Sequence, residues 1–195
     1  MAELLFFLEA SVVSFALTGM ILRFSLGRSL LDIPNDRSSH RVPKPRLGGI
    51  AITAAFFVTI LTMLAFGYDP FPGGWHAAGV LGGGALLAVM GLMDDLRGLD
   101  ARLKLVLQLS AAGIVVASGI VLVELKLPFI GTLPLGQLAI PFTILWIVAI
   151  INFYNFIDGI DGLAAGVGMI AALFLVLIAT MAGSPVLVLP YVVLA

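Results

Sequence analysis

Long apolar stretches separated by short polar segments dominate the pattern along the chain. Six of them approach the length of about 20 residues that a helix needs to cross roughly 30 Å of hydrocarbon: residues 4–24, 48–67, 77–93, 103–122, 138–153 and 163–182. A seventh begins near Val186. Residues 121–137 instead alternate in polarity and contain Pro and Gly, which predicts a short external β-hairpin. We therefore expect an all-α integral membrane protein, a polytopic transmembrane helix bundle with one short hairpin, in a single domain over residues 1–195.

Basic residues between the apolar stretches indicate the orientation of the spans. Nine of the ten Lys and Arg residues lie in or beside loops 25–47 and 94–104, whereas the alternate loops contain only Lys126. Such an excess of basic residues is typical of cytoplasmic loops. We therefore expect the N-terminus to lie outside the cell and these two loops to face the cytoplasm.

Composition agrees with a membrane protein and excludes several other classes. Of the 195 residues, 61% are hydrophobic and 11% are charged, whereas about 25% are charged in a soluble domain. The formal net charge of −1 offers no basic surface for nucleic acid. The chain contains no Cys, which excludes disulfide scaffolds, Cys-ligated metals and thiol catalysis.

Two glycine pairs have the spacing that allows helices to approach closely in lipid. They are Gly79-x-x-x-Gly83 in the third span and Gly162-x-x-x-Gly166 at the start of the sixth. Helix packing explains both pairs, so we assign no chemistry to them.

Polar residues recur at every third position at the end of the fifth span: Asn152, Asn155, Asp158 and Asp161. Residues three apart are neighbours on a helix face, so a helical conformation aligns them in one stripe. Carboxylates at the membrane are costly and usually functional, and this segment has no Lys or Arg to neutralise them. Their oxygen atoms suit Mg²⁺, which binds one or two carboxylates, waters and substrate phosphates. A solvated acidic loop is the alternative, which the intervening Phe and Ile residues disfavour.

A pair of adjacent carboxylates, Asp94 and Asp95, ends the third span. Adjacent carboxylates repel each other, so a shared cation is one explanation and an ordinary interfacial loop is the other. Seven of the eight Asp residues fall on the predicted cytoplasmic side. Acidic residues contribute little to topology, so this clustering favours one polar site at the cytoplasmic mouth of the bundle.

The loop before the second span is a candidate phosphate-binding segment. It combines His40, Lys44 and Arg46 with turn residues and with a glycine pair that opens the span. Lys and Arg bind phosphate, and backbone N–H groups at a helix start add an anion site. The alternative is topology alone, because a cytoplasmic loop is expected to be basic.

The three polar segments read, in order, Asp32-x-Pro-Asn-x-Arg-Ser-x-His40-x-x-Pro-x-Pro-Arg46-x-Gly-Gly, then Asp94-Asp95, then Asn152-x-x-Asn155-Phe-x-Asp158-Gly-x-Asp161-Gly-Leu-Ala. Together they resemble the polyprenyl-phosphate N-acetylhexosamine-1-phosphate transferases, the glycosyltransferase family 4 enzymes. The resemblance covers the whole chain. The first motif is closer to the O-antigen-initiating, N-acetylglucosamine branch than to the muramoyl-pentapeptide branch.

The resemblance implies a reaction, substrates and a location. A sugar 1-phosphate moves from a UDP-sugar to undecaprenyl phosphate and UMP is released, with Mg²⁺ as the cofactor. This reaction initiates cell-envelope polysaccharide synthesis at the cytoplasmic face of the bacterial inner membrane. The implied partners are the UDP-sugar, the polyprenyl phosphate lipid and the bilayer; the identity of the sugar and a homodimer are left open.

The resemblance also assigns roles to residues. The implied catalytic residues are Asp94, Asp95, Asp158 and Asp161, with Mg²⁺ on Asp158. The implied substrate-binding residues are His40, Lys44, Arg46, Asn152 and Asn155. A phosphate monoester has a second pKa of about 6, so the lipid phosphate is largely dianionic at neutral pH. We therefore favour orientation or cation binding for the Asp pair over a general-base or covalent role.

Two other classes fit the motifs less well. CDP-alcohol phosphotransferases also use Asp-Gly motifs and Mg²⁺, but their pattern needs an Arg and later carboxylates, and no Asp or Glu follows Asp161. An ion-coupled transporter or channel remains the alternative function. Transporter sites lie near the bilayer midplane at broken helices, whereas these motifs lie at span ends on one side.

The length of the last apolar stretch predicts that the enzyme is longer than this chain. Only ten residues follow Pro185, and as a helix they extend roughly 15 Å, about half of the hydrocarbon thickness. Members of the family carry a further cytoplasmic loop, rich in His and Arg, that helps to recognise the nucleotide sugar. We therefore expect these residues to be the N-terminal part of an enzyme and to be inactive alone.

Overall fold

A computed structural model describes residues 2–27, 31–32, 44–45, 47–71, 74–158 and 162–181. Each of the six complete apolar stretches forms a helix there, as the pattern predicts. The seventh lies outside the described residues. The helices are α1 (Ala2–Gly27), α2 (Gly48–Ala65), α3 (Trp75–Arg97), α4 (Ala101–Ala117), α5 (Ala139–Ile157) and α6 (Leu163–Met181).

Five of the described helices are long and apolar enough to cross a membrane, which confirms a multi-pass bundle. The sixth helix, α4, has 17 residues and extends about 26 Å. The pattern predicts that this span continues to residue 122, but the helix ends at Ala117 because Gly119 has a φ of 95°. Helix α4 is therefore shorter at its C-terminal end than the sequence pattern predicts.

The described helices belong to two compact units. The first contains α1, α2 and α6; the second contains α3, α4 and α5 as far as Phe156. In the first unit α1 packs along α2, and the rings of Phe6 and Tyr68 meet edge to face at 5.2 Å. Four buried positions of α2 recur every four residues, as expected for a helix with one packed face: Ala51, Ala55, Thr59 and Met63. Ile60, beside Thr59, is buried too.

Two short strands precede α2, which the sequence did not predict. Strand β1 (Leu31–Asp32) pairs antiparallel with β2 (Lys44–Pro45), and Asp32 lies opposite Lys44 in the register. This pairing brings together the two ends of the predicted phosphate-binding loop. Its interior, residues 33–43, lies outside the described residues.

In the second unit, α3 and α4 pack closely through the glycine pair of α3. A Cβ atom at Gly83 would lie 3.0 Å from a methyl carbon of Val115 and 3.1 Å from the carbonyl oxygen of Ala111. A Cβ atom at Gly79 would overlap the Ser118 side chain. The packing role predicted for this pair is therefore confirmed.

The second glycine pair does not make a close approach in the described part of the chain. Gly162 precedes α6 with a φ of 72°, which is a conformation that glycine adopts readily. No described atom lies within 4 Å of a Cβ built at Gly166. Residues 182–195, which follow α6, lie outside the described residues, so the expectation of close helix packing at Gly162 and Gly166 stays a prediction.

The predicted hairpin is present between α4 and α5. Strand β3 (Glu124–Leu127) pairs antiparallel with β4 (Gly131–Pro134), and a turn containing Phe129 connects them. The backbone N–H of Leu122 donates to Oγ1 of Thr143 in α5 at 2.9 Å. The hairpin is therefore attached at its base to the first turns of α5.

Candidate active site

Asp94 occupies the last turn of α3, and both of its carboxylate oxygens have hydrogen-bond partners. Its Oδ2 lies 2.7 Å from Nζ of Lys104, and its Oδ1 accepts the backbone N–H of Leu99 at 2.8 Å. The N–H of Gly98, with φ of 68°, donates to the Asp94 carbonyl oxygen and ends the helix. Asp94 therefore holds the turn that joins α3 to α4.

Asp95 lies one position further along α3 and has an exposed side chain. Successive residues in a helix point in directions about 100° apart. The two carboxylates therefore point in different directions, and Lys104 compensates the charge of Asp94. The observed arrangement allows two adjacent acids to occupy one helix end with reduced repulsion.

The start of α4 places Lys104 beside this turn. Asp100 precedes the helix and caps it, because its Oδ2 accepts the backbone N–H of Arg102 at 3.0 Å. Lys104 follows in the first turn, and helical side chains lean toward the N-terminal end of their helix. The side chain of Lys104 thus extends toward the last turn of α3.

Gln108 lies one turn after Lys104 on the same face of α4. It is 4% exposed, and its Oε1 accepts a hydrogen bond from Nδ2 of Asn152 in α5 at 2.7 Å. The reverse contact, from Nε2 of Gln108 to Oδ1 of Asn152, is 3.5 Å long. The same Nδ2 donates to the carbonyl oxygen of Val148 at 2.8 Å.

One face of α4 therefore connects two of the motifs that the sequence presents separately. Lys104 contacts Asp94 of the acidic pair, and Gln108 contacts Asn152 of the polar stripe. The sequence motifs include neither α4 residue: Lys104 contributes only to the excess of basic residues in its loop, and Gln108 belongs to no motif. The available signal was two polar residues four positions apart within an otherwise apolar span.

The polar stripe is helical as far as α5 extends. Asn155 lies three residues after Asn152 within α5, and both residues are exposed. Asp158 follows directly on Ile157, the last residue of α5, and is also exposed. The carbonyl groups at a helix C-terminus carry partial negative charge, which favours a cation there. An exposed carboxylate at this position is a donor that fits Mg²⁺, which keeps several waters in its shell.

The remaining predicted site residues are described only in part. Lys44 lies in β2, opposite Asp32, with its backbone alone described. His40, Arg46 and Asp161 lie outside the described residues. Among the side chains that the structure describes, no three His, Asp or Glu residues cluster to hold a metal ion.

The chain is similar to enzymes of known name. The sequence profile described as glycosyl transferase family 4 matches residues 77–195. A decaprenyl-phosphate N-acetylglucosaminephosphotransferase of Mycobacterium leprae (strain TN) is 36% identical over 174 residues, covering 85% of this chain and 43% of that protein. A probable undecaprenyl-phosphate N-acetylglucosaminyl 1-phosphate transferase of Bacillus subtilis (strain 168) is 32% identical over 184 residues, with coverages of 94% and 49%.

The muramoyl-pentapeptide branch matches as well. A phospho-N-acetylmuramoyl-pentapeptide-transferase of Clostridioides difficile (strain 630) is 29% identical over 190 residues, covering 91% of this chain and 57% of that protein. The chain spans about half the length of the curated relatives it matches. The predicted family and its N-acetylglucosamine branch are confirmed. The chain belongs to glycosyl transferase family 4.

Proposed function

We propose that the protein transfers an N-acetylhexosamine 1-phosphate from a UDP-sugar to undecaprenyl phosphate and releases UMP. This reaction would initiate cell-envelope polysaccharide synthesis at the cytoplasmic face of the inner membrane. The observation that carries the proposal is the polar face of α4, which holds Asp94 through Lys104 and Asn152 through Gln108. The names of the matched relatives support the same sugar-phosphate and polyprenyl-phosphate chemistry.

The proposed reaction brings two anions together, so positioning and charge neutralisation dominate its requirements. Asp94 does not need to act as a base, because a phosphate monoester with a second pKa of about 6 is largely dianionic at neutral pH. Both oxygens of Asp94 are already hydrogen-bonded. We therefore assign Asp94 to positioning the end of α3 and assign its exposed neighbour Asp95 to orienting the lipid phosphate or a cation.

Mg²⁺ is the proposed cofactor, with Asp158 as its protein ligand. The ion would supply neutralisation of the pyrophosphate charge. Asp158 suits this role because its side chain is exposed and directly follows the C-terminal end of α5. Asp161, three residues later in the sequence, is proposed as a second acid of the same segment.

We propose that amide side chains and cationic side chains bind different parts of the substrates. Asn152 and Asn155 would hydrogen-bond the nucleotide sugar, and His40, Lys44 and Arg46 would bind phosphate. The pairing of β1 with β2 supports the second assignment, because it holds Lys44 shortly before the start of α2. Backbone N–H groups at a helix start favour anions.

A UMP-release assay tests the proposal. A family-length protein containing this chain, placed in lipid nanodiscs, is supplied with UDP-N-acetylglucosamine, undecaprenyl phosphate and Mg²⁺. We expect release of UMP that requires both substrates. Absence of UMP release, or the same release without the lipid phosphate, would contradict the proposed transfer.

A further inference from the structure

We infer that Gln108 is a positioning residue that fixes the side-chain amide of Asn152, so that the oxygen Oδ1 faces the bound nucleotide sugar and the nitrogen Nδ2 does not. The inference rests on the proposed function, because it takes Asn152 to contact the UDP-sugar. It adds a residue from α4 that the family motifs of this chain do not contain. An Asn152 oxygen that faces the substrate also requires a hydrogen-bond donor on the substrate group that it contacts.

The orientation of the Asn152 amide follows from Val148. A backbone carbonyl oxygen only accepts hydrogen bonds, so the Asn152 atom that lies 2.8 Å from the Val148 oxygen must be the nitrogen. Exchanging the nitrogen and oxygen of Asn152 would place two acceptors in contact. The amide orientation, which is often ambiguous for asparagine, is therefore determined by its surroundings.

Gln108 accepts a hydrogen bond from the second N–H group of the same nitrogen. The distance from Nδ2 of Asn152 to Oε1 of Gln108 is 2.7 Å. A primary amide has two N–H groups, so the Val148 and Gln108 oxygens together use both. The Asn152 oxygen also accepts a long hydrogen bond from Nε2 of Gln108, at 3.5 Å. An amide oxygen has two lone pairs, so one acceptor site of Oδ1 remains for a ligand.

Burial of Gln108 keeps this arrangement in place. The residue is 4% exposed, so turning its amide away would leave a buried polar group without a partner. Ala111 and Ala112, one turn later in α4, are buried and apolar and offer no alternative side-chain partner. Asn152 itself is exposed, which makes its oxygen accessible to a ligand.

The chemistry of the contacted substrate group follows. An amide oxygen accepts hydrogen bonds, so its partner is an N–H or O–H group of the nucleotide sugar, such as an imide, a hydroxyl or an acetamido N–H. A phosphate oxygen is itself an acceptor and does not fit. Asn152 thus recognises the neutral part of the substrate, and phosphate binding falls to cationic side chains.

The first test observes the amide directly in the 195-residue chain. The chain contains three asparagines, so labelling with ¹⁵N-asparagine gives three side-chain signals that can be assigned by substitution. We expect slow exchange of the Asn152 amide protons with water, at least about tenfold faster exchange in Gln108→Leu, and no change in Ser110→Ala. Ser110 is the matched control because its hydroxyl donates to the Val106 carbonyl oxygen within its own helix, α4.

The second test is kinetic and uses the family-length protein. We expect Gln108→Leu to raise the KM for the UDP-sugar about tenfold, while the KM for undecaprenyl phosphate and kcat stay close to wild type. Gln108→Glu, which keeps an acceptor oxygen at this position, should restore most of the KM. A merely structural role for Gln108 would lower the amount of active enzyme and leave the KM unchanged.

The outcomes separate this inference from the proposed function. Absence of UMP release from the wild-type protein contradicts the proposed function. If the wild type is active but Gln108→Leu keeps its KM for the UDP-sugar, the positioning role is wrong. Equal exchange of the Asn152 amide in wild type and Gln108→Leu overturns the inference at its first step.

Discussion

Lys104 and Lys126 each lie beside a carboxylate, but the two pairs differ in distance and burial. The Lys104–Asp94 pair is 2.7 Å long, with 29% and 27% of the side chains exposed. The Lys126–Glu124 pair in the hairpin is 3.7 Å long, with 80% and 45% exposed. Solvent screens an exposed pair strongly and a partly buried pair much less. The first pair should therefore contribute to stability, whereas the second should contribute little.

Substitution of these lysines provides a matched prediction. Lys104→Met should lower the free energy of unfolding by about 1.5–3 kcal/mol, because it leaves a partly buried carboxylate without its charged partner. Lys126→Met should cost less than about 1 kcal/mol. Denaturation of the chain in detergent measures both values. Equal destabilisation by the two substitutions would contradict the structural role of the Lys104–Asp94 pair.

The proposed metal ligand gives a second prediction at the same scale. In the family-length protein, Asp158→Asn should abolish Mg²⁺-dependent transfer and leave the helical content and thermal stability unchanged, because an exposed charge is removed without altering packing. Asp69→Asn is the control, since Asp69 is exposed and accepts a local N–H from Phe71. Wild-type activity of Asp158→Asn throughout a Mg²⁺ titration would refute the assignment.

The arrangement of the candidate site residues could be predicted only where the sequence pattern is local. Asn152 and Asn155 are three residues apart within one helix, so their common face follows from helix geometry. The contacts of Asn152 with Gln108 and of Asp94 with Lys104 join different helices. Such contacts depend on how the helices pack, which the spacing of residues along a single chain does not specify.

At the scale of elements, the apolar stretches predicted the helices because hydrocarbon thickness sets their length. The pattern predicts the ends of the helices less accurately than their existence, since charged residues such as Asp95 and Arg97 remain helical at the end of α3. Hydropathy marks the membrane boundary, whereas backbone conformation at Gly98 and Gly119 ends α3 and α4. The pairing of β1 with β2 involves two residues per strand, which is too short for an alternation pattern to predict.

The packing of α3 on α4 gives a prediction for glycine substitutions. Gly83→Ala should cost about 1–3 kcal/mol in stability, because its Cβ atom would lie 3.0–3.1 Å from atoms of Val115 and Ala111. Gly91→Ala, in the same helix, should be neutral or stabilising, since no described atom outside the adjacent backbone of α3 lies within 4 Å of its Cβ position. Thermal unfolding of both variants measures the difference. A loss of stability for Gly91→Ala equal to that for Gly83→Ala would contradict the close approach of the helices.

At the scale of the whole molecule, the distribution of basic residues predicts the orientation in the membrane. Single cysteines introduced into the cysteine-free chain report it through an impermeant thiol reagent. Phe129→Cys at the exposed hairpin turn should be labelled from outside intact cells. Ser38→Cys should be labelled only after the membrane is opened. Labelling of position 38 in intact cells would show that the orientation in the membrane is the reverse of the predicted one.

The membrane bundle and the family were predictable from the whole sequence, because hydropathy, charge asymmetry and three ordered motifs agree with one another. The proposed catalytic residues are only partly described by the structure. Sequence motifs name Asp158 and Asp161 together, whereas the structure describes only Asp158. The motifs name the residues that we propose for the chemistry, and the structure adds the side chains of α4 that contact two of them.

The fate of the β-phosphorus of the donor tests the central claim most directly. UDP-N-acetylglucosamine labelled with ³²P in its β-phosphate is incubated with the family-length protein, Mg²⁺ and undecaprenyl phosphate, and the lipid is then extracted. Transfer of a sugar 1-phosphate breaks the bond between the two phosphates, so the account predicts the label in the lipid together with unlabelled UMP in the aqueous phase. Label that remains in aqueous UDP would show transfer of the sugar without its phosphate and would contradict the account.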